Sequence, residues 1–156
     1  MAYAENTTVS AEKSRAEIEA TLNRYGASSF AYMTDANRSA VGFQCKGRSI
    51  RIVIEKADGS KLKRTSGQSN RYPTDIQRAA WVEQENRRRW RSLLLVIKAK
   101  LEAVQTGIAT FENEFLSYTV MPDGQTFGEW AAPQFKEMTA TGRMPLLLMG
   151  AAEKGA

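Results

Sequence analysis

Hydrophobic and polar positions alternate along residues 30–56. The alternation falls into three runs that are rich in β-forming residues: FAYM (30–33), SAVGFQC (39–45) and RSIRIVIEK (48–56). Turn-prone residues at 35–37 and 46–47 separate the runs. A two-residue period broken by short turns is typical of antiparallel strands. The pattern therefore predicts a three-stranded meander whose buried face carries Val41, Phe43, Cys45, Ile50, Ile52 and Ile54.

A helical period precedes the predicted sheet. SAEKSRAEIEATLNRYG begins at Ser10, a good N-cap, and ends at Gly26, where a left-handed residue would close the helix. The apolar positions form a narrow stripe of Ala11, Ile18, Leu22 and Tyr25. A stripe of that width predicts a helix that packs on the surface of the sheet.

A second helical pattern runs from Thr74, a candidate cap, to about Thr106. Its apolar seam alternates in steps of four and three residues: Trp90, Leu94, Ile97, Leu101, Val104, Ile108, Phe111 and Phe115. Gly107 interrupts the seam, so a bend is expected there. Leu95 and Val96 lie away from the seam, and the helix is therefore either sandwiched between two layers or shared with a second copy.

The last third of the chain is less regular. FENEFLSYTV either continues the helix or becomes a strand, and a short helix is predicted at about 129–139, with Pro133 better suited to a helix start than to its interior. Trp130, Phe135 and Met138 have core spacing. The chain as a whole predicts one α+β domain over residues 1–156, with a flexible tail at 1–8, a basic flexible loop at 57–73 and a C-terminal tail at 143–156.

Composition excludes several classes of function. The 156 residues include no histidine, which removes the commonest general base and zinc ligand, and the single Cys45 suits a buried strand position. Glu112, Glu114 and Asp123 are weak cation candidates, and Asp35 with Glu55 and Lys56 departs from nuclease spacing. We therefore predict a protein that is not an enzyme, with no catalytic residue, metal or cofactor.

The net charge of +5 is concentrated in the middle of the chain, since residues 38–71 hold nine Lys/Arg and two Asp/Glu. A basic surface of this kind favours a nucleic-acid partner, and DNA is preferred here to RNA. The predicted contacts are Arg51, Lys61, Lys63, Arg64, Arg71, Arg87, Arg88 and Arg91, with Tyr72, Trp81 and Trp90 offered for stacking. The alternative for the helix arginines is pairing with Glu83, Glu85 and Glu102.

A second hypothesis is a protein-interaction module, including a homo-oligomer, that binds and modulates another protein. Its predicted interface is Leu95, Val96, Leu146, Leu147 and Leu148. Membrane insertion is not expected, because the apolar run at 93–97 is far shorter than the ~20 residues that a span requires. The N-terminus lacks the pattern of a signal peptide, which predicts a cytoplasmic protein.

Five stretches together resemble a family of small proteins encoded by phages and prophages: EKSRAEIEATLNRYGASSFAY, VGFQCKGRSIRI, RRRWRSLLLVIKAKLEAVQTGIATFENEFL, PDGQTFGEWAAPQ and TGRMP. The resemblance covers most of the chain and is least at 57–73. It implies a gene carried by a bacterial virus and expressed in the bacterial cytoplasm, among replication and recombination genes or small host-modulating proteins. It carries over no catalytic residue.

Overall fold

The computed structural model describes residues 4–63 and 72–144. The described helices are α1 (Ala11–Arg24), α2 (Asp75–Gln105), α3 (Phe111–Phe115) and α4 (Phe127–Thr141), and the strands are β1 (Ser29–Thr34), β2 (Arg38–Cys45) and β3 (Arg48–Glu55). Short 3-10 turns occupy Gly59–Lys61 and Leu116–Tyr118. The predicted α+β arrangement, with a helix on an antiparallel sheet followed by a long and then a short helix, is confirmed.

The sheet is an antiparallel meander in the order β1-β2-β3. Phe43 on the central strand lies opposite Phe30 of β1 and Ile50 of β3. The turn between β2 and β3 consists of Lys46 and Gly47, whose φ angles of 50° and 73° are both positive. Two such residues form the type of turn whose twist matches that of the flanking strands.

The predicted helix caps are confirmed. Ser10 accepts a hydrogen bond from the Lys13 N–H, and Thr74 forms a capping box with Gln77. α1 and α2 lie against the predicted inner face of the sheet. The buried core that they share with the sheet and α3 comprises Ile18, Leu22, Val41, Phe43, Cys45, Ile50, Ile52, Trp90, Leu93, Leu94, Ile97, Leu101, Phe111 and Phe115.

The interruption predicted at Gly107 is confirmed, but the predicted seam is wrong at Ile108. Ile108 is 82% exposed, whereas Phe111 and Phe115 are buried on the separate helix α3. Gly107 has a φ of 76°, a left-handed conformation that ends the α-helical period. Leu95 is half-buried and Val96 is 43% exposed, so the described residues do not sandwich α2 between two layers.

Three predictions toward the ends of the chain are also corrected. Pro133 lies inside α4 rather than at its start, and Phe135 is 57% exposed instead of contributing to the core. Residues 4–8 are not an unattached tail, because Ala4 is buried and the Gln84 side chain donates hydrogen bonds to the carbonyls of Glu5 and Thr7. No local sequence pattern predicts this contact, because the two segments lie far apart along the chain.

Close packing at the start of α4 leads to a testable prediction. A Cβ added at Gly128 would lie 2.8 Å from the backbone oxygen of Ser117. Glycine to alanine normally stabilises a helix by about 1 kcal/mol, but overpacking costs about 1–3 kcal/mol, so we expect Gly128→Ala to lower stability. Urea unfolding measures the change, and Thr139→Ala on the exposed side of α4 is the control. A more stable Gly128→Ala chain would contradict the tight contact.

Candidate nucleic-acid interface

One face of α2 holds the segment that follows β3. Arg78, Val82, Asn86 and Arg89 are spaced four, four and three residues apart, which places them on one side of the helix. Asn86 Oδ1 accepts a 3.0 Å hydrogen bond from the Ala57 N–H. The two arginines donate to the carbonyl oxygens of Gly59 and Glu55, respectively. The path of residues 55–59 is therefore fixed against the helix.

Five cations lie either on the segment that follows β3 or on the face of α2 that holds it, and we call them the basic cluster: Lys56, Lys61, Lys63, Arg78 and Arg89. Lys56 donates to the carbonyl oxygen of Asp35, and Lys61 and Lys63 are exposed. Within residues 4–63 and 72–144, none of the five forms an ion pair. A carbonyl partner carries no net charge, so the cluster stays positive.

Acidic groups border the basic cluster without neutralising it. The Asp58 carboxylate accepts hydrogen bonds from the backbone N–H and hydroxyl of Ser60 and thereby caps the 3-10 turn. These bonds hold the pKa of Asp58 below its ordinary value, so the group is ionised at neutral pH. Glu55 ends β3 beside Lys56. The carboxylate of Asp35 also interacts with Lys56, so the five cations outnumber three neighbouring carboxylates.

The predicted contact residues do not form one surface. Lys61 and Lys63 belong to the basic cluster, and Arg64 and Arg71 lie outside the described residues. The other four are ion-paired: Arg51 with Glu129 at 2.9 Å, Arg88 with Glu85 at 2.9 Å, Arg91 with Glu17 at 2.9 Å, and Arg87 with Glu83. The predicted pairing with Glu83 and Glu85 is confirmed, and Glu102 has no ion pair in the described part of the chain.

The ion pair of Arg51 and Glu129 connects the outer face of the sheet to α4. Glu129 also closes the capping box of α4 by accepting a hydrogen bond from the Thr126 N–H. That backbone bond, helped by Arg51, holds the pKa of Glu129 below its ordinary value. Because these two side chains bind each other and position a helix, Arg51 has a structural role.

A cleft of about 300 Å³ adjoins the basic cluster and shares Lys56 with it. The cleft lies between the start of α1, β1 and α2. Arg15 lies 4.4 Å from the centroid of the Tyr32 ring and 5.5 Å from that of Trp90. Trp90 is only 5% exposed and packs against Tyr32, so it does not offer a free stacking face.

Sequence reasoning missed two members of the basic cluster, Arg78 and Arg89. Helical spacing places Arg78, Val82, Asn86 and Arg89 on one face of α2, and this spacing could have indicated the two arginines. The face mixes basic, apolar and amide side chains. Hydrophobic periodicity does not register such a stripe. The sequence does group Lys56 with the cations of the basic loop as a plausible phosphate contact.

The acidic residues that were weak candidates for a cation site have other partners in the structure. Glu112 and Glu114 pair with Arg48 at 3.8 Å and Lys100 at 3.1 Å, and Asp123 accepts a hydrogen bond from the Gln125 N–H. The described residues contain no group of three His, Cys, Asp or Glu side chains that could hold a metal ion. Burial raises the pKa of the Cys45 thiol, which keeps it protonated and unreactive.

No protein-family model, no curated protein and no solved structure matches this chain. None of the helices within 4–63 and 72–144 has the length and apolar character needed to cross a membrane.

Proposed function

We propose that this protein binds nucleic acid, with DNA preferred to RNA, through the basic cluster and without catalysing a reaction. The observation that carries the proposal is the set of five cations that have no carboxylate partner in the described residues. Phosphate groups would supply the ion-pair partners that the described residues do not provide to these five cations. The ion-paired Arg51 and Arg91 are excluded from the proposed contact surface.

The geometry of the cluster suits contact with phosphates rather than reading of bases. A guanidinium has five N–H donors, and the bonds of Arg78 and Arg89 to backbone carbonyls leave donors for a phosphate while fixing the side chain. Lys61 and Lys63 add two exposed point charges on the neighbouring turn. Contacts of this kind position a nucleic acid without specifying its sequence, so we expect affinity with little sequence preference.

The biological setting is part of the same proposal. The resemblance to small phage and prophage proteins would place the protein in the bacterial cytoplasm, as an accessory to replication or recombination. Binding that does not depend on sequence suits such a role.

The test removes two positive charges from the basic cluster and compares the resulting loss of affinity with that caused by removing two positive charges elsewhere. Lys61→Gln/Lys63→Gln should weaken binding of a labelled oligonucleotide and reduce the slope of log K against log salt by about 1.8 on duplex DNA or about 1.4 on a single strand. Lys98→Gln/Lys136→Gln, which removes the same charge from exposed positions on α2 and α4, should leave the slope unchanged.

Fluorescence anisotropy at several salt concentrations gives both slopes. Equal losses in the two double variants would mean that only net charge matters and would remove the basic cluster as a site. Absence of binding at low salt by the unmodified chain would refute the function itself. Parallel titrations with single and double strands, of DNA and of RNA, identify the preferred form.

One observation favours the second candidate, a protein-interaction module that binds a host or phage protein. On the long helix, Val96 is 43% exposed beside the half-buried Leu95, and Ile76 near its start is 83% exposed. Leu146, Leu147 and Leu148, the other predicted interface residues, lie outside the described residues. This function would be supported if Val96→Ser abolished capture of a partner protein while the chain remained folded.

A further inference from the structure

Among the described residues, β1 is an edge strand whose outer side is open. Within the described chain β1 pairs only with β2, and five of its six residues are exposed, with Phe30 half-buried. Its sequence SFAYMT contains no charge and no proline, which are the usual devices that prevent an edge strand from pairing. A second strand could therefore add to this edge.

The hydrogen-bond pattern shows which backbone groups are available. The Asp35 N–H donates to the Arg38 carbonyl directly across the β1–β2 turn, and the Lys56 N–H donates to Asn37 across β2–β3. Antiparallel pairs alternate between bonded and non-bonded, so Ser29, Ala31 and Met33 direct their backbone groups toward β2. It follows that Phe30, Tyr32 and Thr34 direct their N–H and C=O groups outward.

This spacing selects one way for the strand to pair with a copy of itself. In a two-fold arrangement centred on Tyr32, Phe30 lies opposite Thr34 of the second copy and Tyr32 lies opposite itself, so all three outward residues are used. Centring the axis on Ala31 would require the Ser28 N–H, which is already bonded to the Gln44 carbonyl at 2.8 Å. Centring it on Met33 would place Phe30 opposite Ala36 in the turn.

We propose that two copies of this chain associate by antiparallel pairing of β1 with β1, centred on Tyr32, to form a continuous six-stranded sheet. The paired strand residues bring no like charges opposite each other, because SFAYMT is uncharged and Asp35 falls opposite Ser29 of the second copy. On the outer face, Met33, which is 53% exposed, lies opposite the small Ala31. The interface is therefore self-complementary in hydrogen bonding, charge and side-chain size.

Disulfide trapping tests the register directly. In the proposed pairing, residue 31 lies opposite residue 33 of the second copy in a non-bonded pair, where Cα atoms are about 4.5 Å apart and a disulfide can form. An oxidised mixture of Ala31→Cys and Met33→Cys chains should give covalent heterodimers. Each variant alone should give few dimers, and the unmodified chain none, because Cys45 is buried.

Either of two results would overturn the proposal. A mixture that stays monomeric after oxidation would show that the edges do not meet, and efficient dimers of one variant alone would show a different register. A second comparison uses sedimentation equilibrium. Tyr32→Pro removes an outward N–H and should shift the chain to monomer, whereas Tyr32→Ala keeps the N–H and should remain dimeric. Equal behaviour of these two variants would contradict pairing through the edge.

Discussion

Replacing Phe115 with alanine should lower the free energy of unfolding by about 3–5 kcal/mol. The side chain has no exposed surface, and its ring centroid lies 4.7 Å from that of Phe111 and 5.8 Å from that of Phe43. It therefore connects α3 to the centre of the sheet. Removing the ring would leave a cavity between elements that the neighbouring side chains cannot fill without moving.

The control for this change is the next residue. Leu116 is 44% exposed, so Leu116→Ala should cost much less than Phe115→Ala when both are measured by urea unfolding. Similar losses for the two variants would mean that Phe115 does not occupy the tightly packed position that its burial indicates. If Phe115→Ala instead unfolded in more than one step, α3 would belong to a unit that unfolds separately.

The second large loss of stability is expected from a substitution in the core-facing side of α2. Leu94 has no exposed surface, and Leu94→Ala should cost about 2–5 kcal/mol of unfolding free energy. Two residues further along the same helix, Val96 is 43% exposed, and Val96→Ala should change stability by no more than about 0.5 kcal/mol. The comparison separates the core side of α2 from its outer side.

The measurement is again the unfolding free energy, obtained for both variants under one set of conditions. A loss at Val96 as large as that at Leu94 would show that the outer side of α2 is covered, either by residues outside the described ranges or by a second chain. Such coverage would depend on protein concentration only in the second case.

The sequence predicted the regular parts of the fold because each carries a strong local signal. The meander follows from a two-residue period and the Lys46-Gly47 turn, and α1 and α2 follow from their caps at Ser10 and Thr74. The failures at Ile108 and Phe135 share a cause. Both residues have helical spacing relative to core residues, but spacing carries no information on where the chain turns or which layer a helix meets.

The site was predicted less well because charge counts ignore pairing. Arg51 was included as a contact, yet its partner Glu129 lies 78 residues away, and no local pattern connects the two. Lys61 and Lys63 remain because neither forms an ion pair among the described residues. The open edge of β1 was also invisible in the sequence, since strand order and the direction of backbone groups become known only when the sheet is assembled.

The packing of α1 on α2 has a consequence for the order of folding events. The two hairpins join neighbouring segments, and hairpins close within about 1–10 μs. The contact of Glu17 with Arg91 instead spans 74 residues, and the entropy lost in closing a loop rises with the logarithm of its length. We therefore expect the meander to form early and the docking of α1 on α2 to be the rate-limiting step of folding.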